Sequence, residues 1–425
     1  MSDSAVSYAP AQLARSAERL AAGIATLSVP PFTDASDAIC RYAWSPGYQA
    51  TLAWFDRQFT ELGFTCTLDP IGNFVARNRP PGEPAMGLGS HCDSNRQGGP
   101  YDGTLGVLAA LEACRLNAEH GLDLPLQVTA FLEEEASGFG VLLLGSRVVA
   151  GQLTADDLAT GVVALDDGRS FAEHAREAGL APERAAEARH MLDGLVGWIE
   201  PHIEQGRVLQ DAGDTLGLVH SICGYEHGDL FLGGRADHAG ATPMIQRRDA
   251  AIVAAWCVGR LEELTLAIGG DTVGTVGEFD VTPGIINVIP GAVRISYDVR
   301  GTDDTRVDAV VAALMSETRA VAEARGISFA HERRQRVPAQ ALDASLGDVL
   351  ERAARSSGAP WRSMPSGAAH DTMAIAPLVP SAMLFIPCRD GISHHPSEHA
   401  DMHHAAIATH VMLDAARAWL EAVRA

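Results

Sequence analysis

The segment from His91 to Gly103 carries one histidine, two aspartates and a cluster of glycines. His91 and Asp93 are two residues apart, so on a β-strand both side chains point to the same side. Asp93 is then placed to accept the proton of one ring nitrogen of His91 and to orient the ring toward a metal. Asp102 follows a flexible "GGPYDG" turn and opens a predicted helix. On these residues alone, a polar loop with Asp102 as a helix cap is an open alternative to a metal site.

Three consecutive glutamates, Glu133, Glu134 and Glu135, follow the apolar stretch "LQVTAFL". A run of carboxylates is often a solvated face. Where a strand ends, however, neighbouring glutamates can diverge, so that one binds a cation while the next acts as a base. That division of roles is what metal-assisted hydrolysis requires.

Two further segments supply histidines: "EPHIEQG" contains His202, and "GISHHPSEH" contains His394, His395 and His399. Each histidine taken singly is as consistent with a hydrogen-bonded structural role as with a ligand. Together, three imidazoles and several carboxylates suit two divalent cations that share one carboxylate.

The elements around these residues predict where they meet. "MGLGSH" predicts a strand that ends at His91, "DGTLGVLAALEACRLNAEHG" predicts a helix, and "LQVTAFLEEE" predicts a second apolar strand. Strand, helix and strand in this order predict a partly parallel sheet covered by helices. Such sheets place chemistry at the carboxyl ends of their strands, where His91 and the glutamates fall.

The chain is long enough for two domains, since 425 residues exceed what one hydrophobic core usually organises. We expect an α/β fold, with a mixed, largely parallel sheet flanked by helices, in residues 1–213 and 335–425. From about Gly213 the pattern changes to alternating strands and two long helices, "RRDAAIVAAWCVGRLEEL" and "TRVDAVVAALMSETRAVAEARG". Residues 214–334 are therefore predicted to form an inserted α+β domain.

Composition excludes several classes of protein. A formal charge of −22, with no basic stripe carrying interleaved aromatics, argues against a nucleic-acid partner. No apolar run is long enough to span a bilayer, and no basic segment leads into an apolar one at the start, so we expect a cytoplasmic protein without a membrane partner. The seven cysteines include no C-x-x-C pair and are expected to be reduced thiols.

The chain contains no lysine, and all 32 residues in the combined count of lysine and arginine are arginines. Schiff-base chemistry and nucleophile systems with a lysine partner are thereby excluded. No G-x-S-x-G segment occurs either, which disfavours a serine or cysteine hydrolase. A binding protein that kept the fold and lost catalysis is the remaining alternative to a metal-dependent enzyme.

In their order along the chain, these segments resemble the M20 family of dinuclear metallohydrolases, specifically its amidase and carbamoylase branch. That branch includes N-carbamoyl-L-amino acid hydrolases, allantoate amidohydrolases and metal-dependent β-ureidopropionases. The resemblance implies a zinc-exopeptidase-like fold whose inserted domain serves as a lid and forms a homodimer. It covers almost the whole chain through the segments "GSHCDS", "GGPYDGTLGV", "LEEEASGFG", "GSR", "EPHIEQG", "DHAGATPM", "RRDA", "PGIINVIPG", "YDVR", "SGAAHD" and "GISHHPSE".

The resemblance also assigns metal ligands, residue by residue. It implies that one ion is held by His91, Asp102 and His202. The other ion is held by Asp102, Glu135 and His394, so that Asp102 bridges the two. Zn²⁺ or Mn²⁺ is expected, and Co²⁺ or Ni²⁺ would also suit histidine and carboxylate ligands.

The remaining roles follow in the same way. Glu134 matches the family's general base, and Asp93 matches the residue that supports His91. The residues that match substrate contacts are Gln205, His238, Asn287 and Arg300. His238 is expected to act on the reacting group as well, by donating to the oxyanion. Arg300, paired with Asn287, is suited to a substrate carboxylate, so the expected substrate is a small anionic ureido acid.

The activity that the resemblance implies is hydrolysis of the carbamoyl amide of a linear N-carbamoyl acid. The alternatives are an amidohydrolase of the allantoate or ureidoglycolate type and an M20 hydrolase of N-acyl-amino acids or peptides. Three positions depart from the family pattern: Gly138 stands where an arginine is usual, His395 where an asparagine is usual, and His227 near a usual basic or amide residue. His370 and Asp371 match the family without an assigned role.

Overall fold

The structure is a computed structural model that describes residues 8–35 and 37–424, and it divides into two compact units. Unit 1 contains the described residues up to His220 and those from Leu342 onward, while unit 2 is the continuous segment Ser221–Ala341. Each unit has a hydrophobic core of its own. Helices and strands are numbered along the chain.

Unit 1 is built on a mixed sheet covered by helices. Its helices are α1 (Pro10–Leu27), α2 (Pro46–Glu61), α3 (Thr104–Glu119), α4 (Leu144–Val149), α5 (Phe171–Glu177), α6 (Val208–Ala212), α9 (Ala344–Ser357), α10 (Thr372–Ile375) and α11 (Met402–Arg424). Its strands are β1 (Thr65–Leu68), β2 (Phe74–Arg77), β3 (Ala85–His91), β4 (Leu126–Phe131), β5 (Leu195–Ile203), β6 (Leu216–Ile222), β13 (Trp361–Ser366) and β14 (Ser381–Ile386). Strand β6 ends just inside unit 2.

The strands of this sheet lie in the order β1, β2, β4, β3, β5, β14, β6, and β13 also pairs with β6. The central strands β4, β3, β5 and β14 run parallel, whereas β1, β2 and β6 join antiparallel at the sides. Every residue of β3, β4 and β14 is buried, because helices cover both faces of a parallel sheet. The predicted α/β class, with a largely parallel sheet flanked by helices, is confirmed.

Unit 2 has an antiparallel sheet and two long helices. The helices are α7 (Ala250–Ile268) and α8 (Asp304–Ala324), and the strands are β7 (Gly224–Gly233), β8 (Val273–Thr275), β9 (Phe279–Thr282), β10 (Ala292–Gly301), β11 (Ser328–Val337) and β12 (Gln340–Ala341). In the sheet β7 lies between β11 and β10, and β8 and β9 both pair with the other side of β10. Strand β12 is not part of this sheet, since it pairs with the end of β6. Strand β11 was not predicted, because its charged sequence "SFAHERRQRV" lacks the apolar alternation of a strand.

Two further observations bear on the sequence predictions. All seven cysteines are free thiols, as expected. In the part of the chain that the structure describes, no helix combines the length and the apolar character that crossing a membrane requires.

Candidate active site

Five side chains of unit 1 form two adjoining groups that share Asp102. The first group is His91, Asp102 and His202, and the second is Asp102, Glu135 and His394. In each group, one nitrogen or carboxylate oxygen per residue lies within 4.8 Å of the others. The structure thus brings together all five residues that the sequence nominated as ligands.

The parallel sheet explains this convergence. His91 is the last residue of β3, His202 is the penultimate residue of β5, and Glu135 follows the end of β4 by four residues. Because β4, β3 and β5 are parallel neighbours, their carboxyl ends lie at one edge of the sheet. His394 reaches the same edge on the loop after β14, which is the next parallel strand.

The spacing in the first group matches the requirements of a metal ion. His91 Nε2 lies 3.5 Å from Asp102 Oδ1 and 3.5 Å from His202 Nε2, and His202 Nε2 lies 3.2 Å from Asp102 Oδ1. Ligands bonded at roughly 2.0 to 2.1 Å in a tetrahedron are about 3.3 Å apart. The three atoms therefore stand where a tetrahedral ion would hold them.

The second group has the same spacing. His394 Nε2 lies 3.3 Å from Asp102 Oδ2 and 3.2 Å from Glu135 Oε1. That Glu135 oxygen is buried and accepts no hydrogen bond from any described residue. A buried carboxylate oxygen without a donor is costly unless a cation satisfies it, so this group also fits a metal ion.

Both buried imidazoles present Nε2 to the first group. His202 Nδ1 lies 2.9 Å from the carbonyl oxygen of Ile203, and His91 Nδ1 lies 3.2 Å from the carbonyl oxygen of Asp93. A carbonyl only accepts, so Nδ1 holds the proton and Nε2 offers its lone pair. The Asp93 carboxylate is 3.5 Å from His91 Nδ1 and accepts the backbone N–H of Glu135 at 3.1 Å. Asp93 thereby holds one residue of each group.

Asp102 does not cap the helix that follows it, as the sequence suggested it might. Helix α3 begins at Thr104, and no described side chain caps its first turn. The Asp102 carboxylate instead accepts the amide of Gln205 at 2.7 Å and the hydroxyl of Ser393 at 2.8 Å. Burial alone would raise the pKa of Asp102, but charge interactions and hydrogen bonds with the surrounding imidazoles hold it well below the usual range.

The three consecutive glutamates have different surroundings. Glu133 is fully buried, and its carboxylate accepts the backbone N–H groups of Ala43, Gly138 and Phe139, so it holds the loop in place. Glu135 belongs to the second group. Glu134 belongs to neither group, yet its Oε2 lies 3.8 Å from His91 Nε2, and burial raises its pKa well above the usual range. A carboxyl group in that position is available to exchange a proton.

The buried carboxylates of the second group favour bound protons, and they would favour a cation for the same reason. Burial raises the pKa of Glu135 to about 8, and the hydrogen bond with Asp102 raises the pKa of His394 to about 9. Bound cations would replace these protons, since metal ligands bind in their deprotonated form.

Gln205 lies beside the second group. Its amide nitrogen donates to Asp102 and is 3.4 Å from His394 Nε2, while its Oε1 is buried and accepts no hydrogen bond from the described residues. This oxygen keeps its capacity to accept an N–H group. Its role as a substrate contact stays a prediction.

His238 and Asn287 meet in unit 2. The backbone N–H of Ala239 donates to the carbonyl oxygen of Asn287 at 2.9 Å. His238 Nδ1 accepts the N–H groups of Gly240 and Ala241, both at 3.1 Å, so the ring proton is on Nε2. Both His238 and Asn287 are exposed. His238 therefore offers an N–H donor at the surface of unit 2.

Arg300 is not close to this pair, contrary to the expectation that it acts with Asn287 on one carboxylate. On β10, Ala292 pairs with Gly233 and Arg300 pairs with Tyr225. Eight residues of strand separate these pairs, which is about 26 Å. Asn287 lies beyond the Ala292 end, so one small substrate cannot touch Arg300 and Asn287 of the same chain.

The Arg300 guanidinium has its own surroundings in unit 2. Its Nε donates to both oxygens of Asp298 at 3.0 Å, and it lies over the ring of Tyr225 at 5.5 Å. His227 Nε2 is 3.2 Å from Asp298 Oδ1. The departure at His227 thus belongs to the residues that orient Arg300, which the sequence alone did not reveal.

Sequence reasoning missed two residues that hold the ligands, Ser393 and Glu398. Both lie inside the segment "GISHHPSEH", and their closeness to His394 was the available signal. His370, which had no assigned role, is buried with its ring 4.5 Å from that of His202. His395 is exposed, and its Nδ1 pairs with the hydroxyl of Ser397.

The site consists of two adjoining ligand groups at the edge of a mixed α/β unit, with Glu134 beside them but in neither group. These features are those of a metal-dependent hydrolase. Comparison with known proteins identifies its family. The model of peptidase family M20/M25/M40 matches residues 88–418, and the chain belongs to this family. Its members are metal-dependent hydrolases, and several of the curated relatives are named N-carbamoyl-L-amino acid amidohydrolases.

Three similar proteins illustrate the relationship. The N-carbamoyl-L-amino acid amidohydrolase of Geobacillus stearothermophilus is 37% identical over 356 residues, which is 83% of this chain and 86% of that protein. Allantoate deiminase 1 of Glycine max is 31% identical and covers 89% of this chain and 85% of its own length. The crystal structure of an amidase of the hydantoinase/carbamoylase family from Burkholderia multivorans superposes with a TM-score of 0.84 at 30% identity, covering 96% of this chain and 97% of that one.

Proposed function

We propose that this protein hydrolyses the carbamoyl amide of a linear N-carbamoyl acid. The reaction R–NH–CO–NH₂ + H₂O → R–NH₂ + CO₂ + NH₃ gives an amino acid, carbon dioxide and ammonia. The observation that supports it is the pair of ligand groups sharing Asp102, with Glu134 beside them and outside both. The resemblance to carbamoyl-amino acid amidohydrolases supports the choice of substrate class.

The ligand groups suit two divalent cations, with Zn²⁺ or Mn²⁺ as the first choice and Co²⁺ or Ni²⁺ as alternatives. When bound, such cations supply Lewis acidity, which lowers the pKa of water to roughly 7 and polarises a carbonyl oxygen. His91, Asp102 and His202 would hold one of them. Asp102, Glu135 and His394 would hold the other.

Glu134 is the proposed general base. Its carboxyl group takes a proton from the attacking water and then delivers one to the departing nitrogen. Burial raises the pKa of Glu134, which favours the step in which it donates a proton. Gln205, through its free Oε1, would accept an N–H of the ureido group.

The groups of unit 2 would complete the site. The Nε2–H of His238 is a donor for the oxyanion that forms on attack, and Arg300 suits the substrate carboxylate through two parallel hydrogen bonds. Because Arg300 and His238 lie at opposite ends of the β7 and β10 ladder, we assign them to different copies of the chain in a homodimer. Each site would then take one of these two groups from its partner.

Ammonia release from defined substrates tests the proposal. The purified protein, loaded with Zn²⁺ or Mn²⁺, is given N-carbamoyl-L- and D-amino acids, N-carbamoyl-β-alanine, allantoate, ureidoglycolate and N-acetyl amino acids. Ammonia from a ureido acid, absent with Glu134→Gln, is the expected result, and the preferred substrate fixes chain length and chirality. Deacylation of N-acetyl amino acids without ammonia from any ureido acid would overturn the proposal.

A further inference from the structure

Glu398 joins two segments that carry proposed ligands. It lies four residues after His394, and its side chain is 4% exposed. Its Oε2 accepts the backbone N–H of Tyr101 at 2.8 Å and that of Asp102, 296 residues away, at 2.9 Å. One buried oxygen therefore holds the turn that carries Asp102 against the loop that carries His394.

Ser393 acts on the side chain of the same aspartate. Its hydroxyl lies 2.8 Å from Asp102 Oδ2 and 3.1 Å from Glu398 Oε1. A hydroxyl has one hydrogen, which goes to the nearer acceptor, Asp102 Oδ2. That oxygen faces His394, while Oδ1 faces His91 and His202. The hydrogen bond from Ser393 thus fixes the rotation that presents one oxygen to each group.

The turn that carries Asp102 and the loop that carries His394 lie very close together. A Cβ at Gly99 would overlap the side chain of Glu398, so only glycine lets the turn lie directly on this carboxyl group. A second contact runs beside it, between the hydroxyl of Tyr101 and His399 Nδ1 at 3.1 Å. Turn and loop are therefore joined at several points, with Glu398 at the centre.

We propose that Glu398 and Ser393 are positioning residues for Asp102 and His394. Glu398 sets the backbone of Asp102 relative to the His394 loop, and Ser393 sets the orientation of its carboxylate. The inference rests on the proposed function in taking Asp102 and His394 as metal ligands. Groups that orient metal ligands typically change metal affinity or activity by about 10- to 100-fold when removed.

Metal binding, measured apart from activity, tests this role. Chelator-treated full-length protein is titrated with Zn²⁺ against a chromogenic chelator, and the melting temperature of the metal-free form is recorded separately. Glu398→Ala and Ser393→Ala should each weaken binding of the more weakly held ion by about 10- to 100-fold. Glu398→Gln should keep wild-type affinity, because its amide oxygen can accept both N–H groups and its NH₂ can donate to Ser393 Oγ.

Glu112→Ala is the matched control for loss of a buried carboxylate. Glu112 is fully buried on α3 and accepts the hydroxyl of Ser16 at 2.9 Å, but it lies outside both ligand groups. This variant should lose stability and keep its Zn²⁺ affinity. If Glu398→Ala does not fold, Ser393→Ala, which removes one oxygen atom, decides the question.

The outcomes separate the two proposals. Wild-type protein that binds no divalent cation would contradict the proposed function. Suppose instead that the wild type binds two ions and that Glu398→Ala and Ser393→Ala bind them as tightly as the wild type does. That result would overturn only the positioning role.

Discussion

Gly103 lies against the imidazole of His91 so closely that a Cβ at position 103 would overlap the ring. Its φ of +57° is also one that residues with side chains rarely adopt. The turn that carries Asp102 can therefore approach the end of β3 only with glycine at this position. This contact determines how near the shared carboxylate comes to the first imidazole.

Gly103→Ala should consequently damage the first ligand group. We expect Zn²⁺ affinity to fall at least 10-fold and stability to fall by about 1 to 3 kcal/mol through overpacking. Gly121→Ala is the matched control, since Gly121 has a φ of +61° and nothing within 4 Å of an added Cβ. Metal titration and denaturant unfolding of both variants measure the difference, and equal behaviour would show that the contact with His91 does not matter.

Glu134→Gln should separate chemistry from metal binding. Because Glu134 belongs to neither ligand group, the variant should bind both ions as the wild type does. Loss of the base should lower kcat by about 10² to 10⁴. Steady-state kinetics and metal analysis of the same preparation provide the check, and turnover at the wild-type rate would remove Glu134 from the mechanism.

Removal of metal should lower both activity and stability. Ions that bind only the folded chain add RT ln(1 + [L]/Kd), about 2.7 kcal/mol for an ion at 100 times its Kd. We expect chelator-treated protein to melt at a lower temperature and to recover both properties with Zn²⁺ or Mn²⁺. Full activity after exhaustive chelation, verified by elemental analysis, is the result that the dinuclear proposal does not allow.

Mixing two inactive variants tests the shared site. His238→Ala and Glu134→Gln subunits, dissociated and reassociated at equal amounts, would form about half mixed dimers, each with one intact site. We expect about a quarter of the wild-type activity. Mixing Glu134→Gln with a variant that carries both substitutions should give none, and failure of the first mixture to recover activity would place His238 in the site of its own chain.

Acid should destabilise unit 1 through His410 on α11. This residue is 5% exposed, its ring lies 4.7 Å from that of Tyr8, and burial lowers its pKa to about 4. The unfolded chain takes up a proton near pH 6.5 and the folded chain does not, so stability falls as pH drops from about 6.5 to 4. Below that window this contribution is fully lost.

The variant His410→Gln should flatten the pH dependence of unfolding in that range. Denaturant melts of the chelator-treated protein between pH 7 and 4 measure the difference from wild type. His190→Gln, at an exposed position, is the control and should leave the slope unchanged. Parallel curves for wild type and His410→Gln would show that His410 is not the group responsible.

The five proposed ligands came from the family resemblance, while apolar strand sequences by themselves placed His91 and Glu135 at neighbouring strand ends. His91 and His202 lie in the last two residues of buried strands and Glu135 lies just beyond one, and parallel strands bring such positions to one edge. The expectation that Arg300 and Asn287 act on one carboxylate came from the resemblance, whereas eight residues of extended β10, about 26 Å, separate Arg300 from the strand end nearer Asn287.

Strand β11 shows a second limit. Arg334 on this strand donates to Asp229 on β7 at 2.5 and 2.7 Å and to Glu278 at 3.0 Å. Strand β11 is thus held partly by ion pairs with neighbouring segments. Its residues therefore lack the apolar alternation that identifies most strands. Likewise, the hydrogen bonds that Gln205 and Ser393 donate to Asp102 were not predicted, because both residues lie far along the chain from it.

The central position of β14 also fixes an order of assembly during synthesis. This strand lies between β5 and β6, yet its residues, Ser381–Ile386, are made more than 150 residues after those of β6. The pairing of β14 with β5 and β6 therefore cannot form before residues 381–386 have been synthesised. Unit 2, a continuous segment, can fold during that interval, because domains fold as units while translation proceeds. His394 is synthesised after the other four proposed ligands, so the second ligand group is completed after the first.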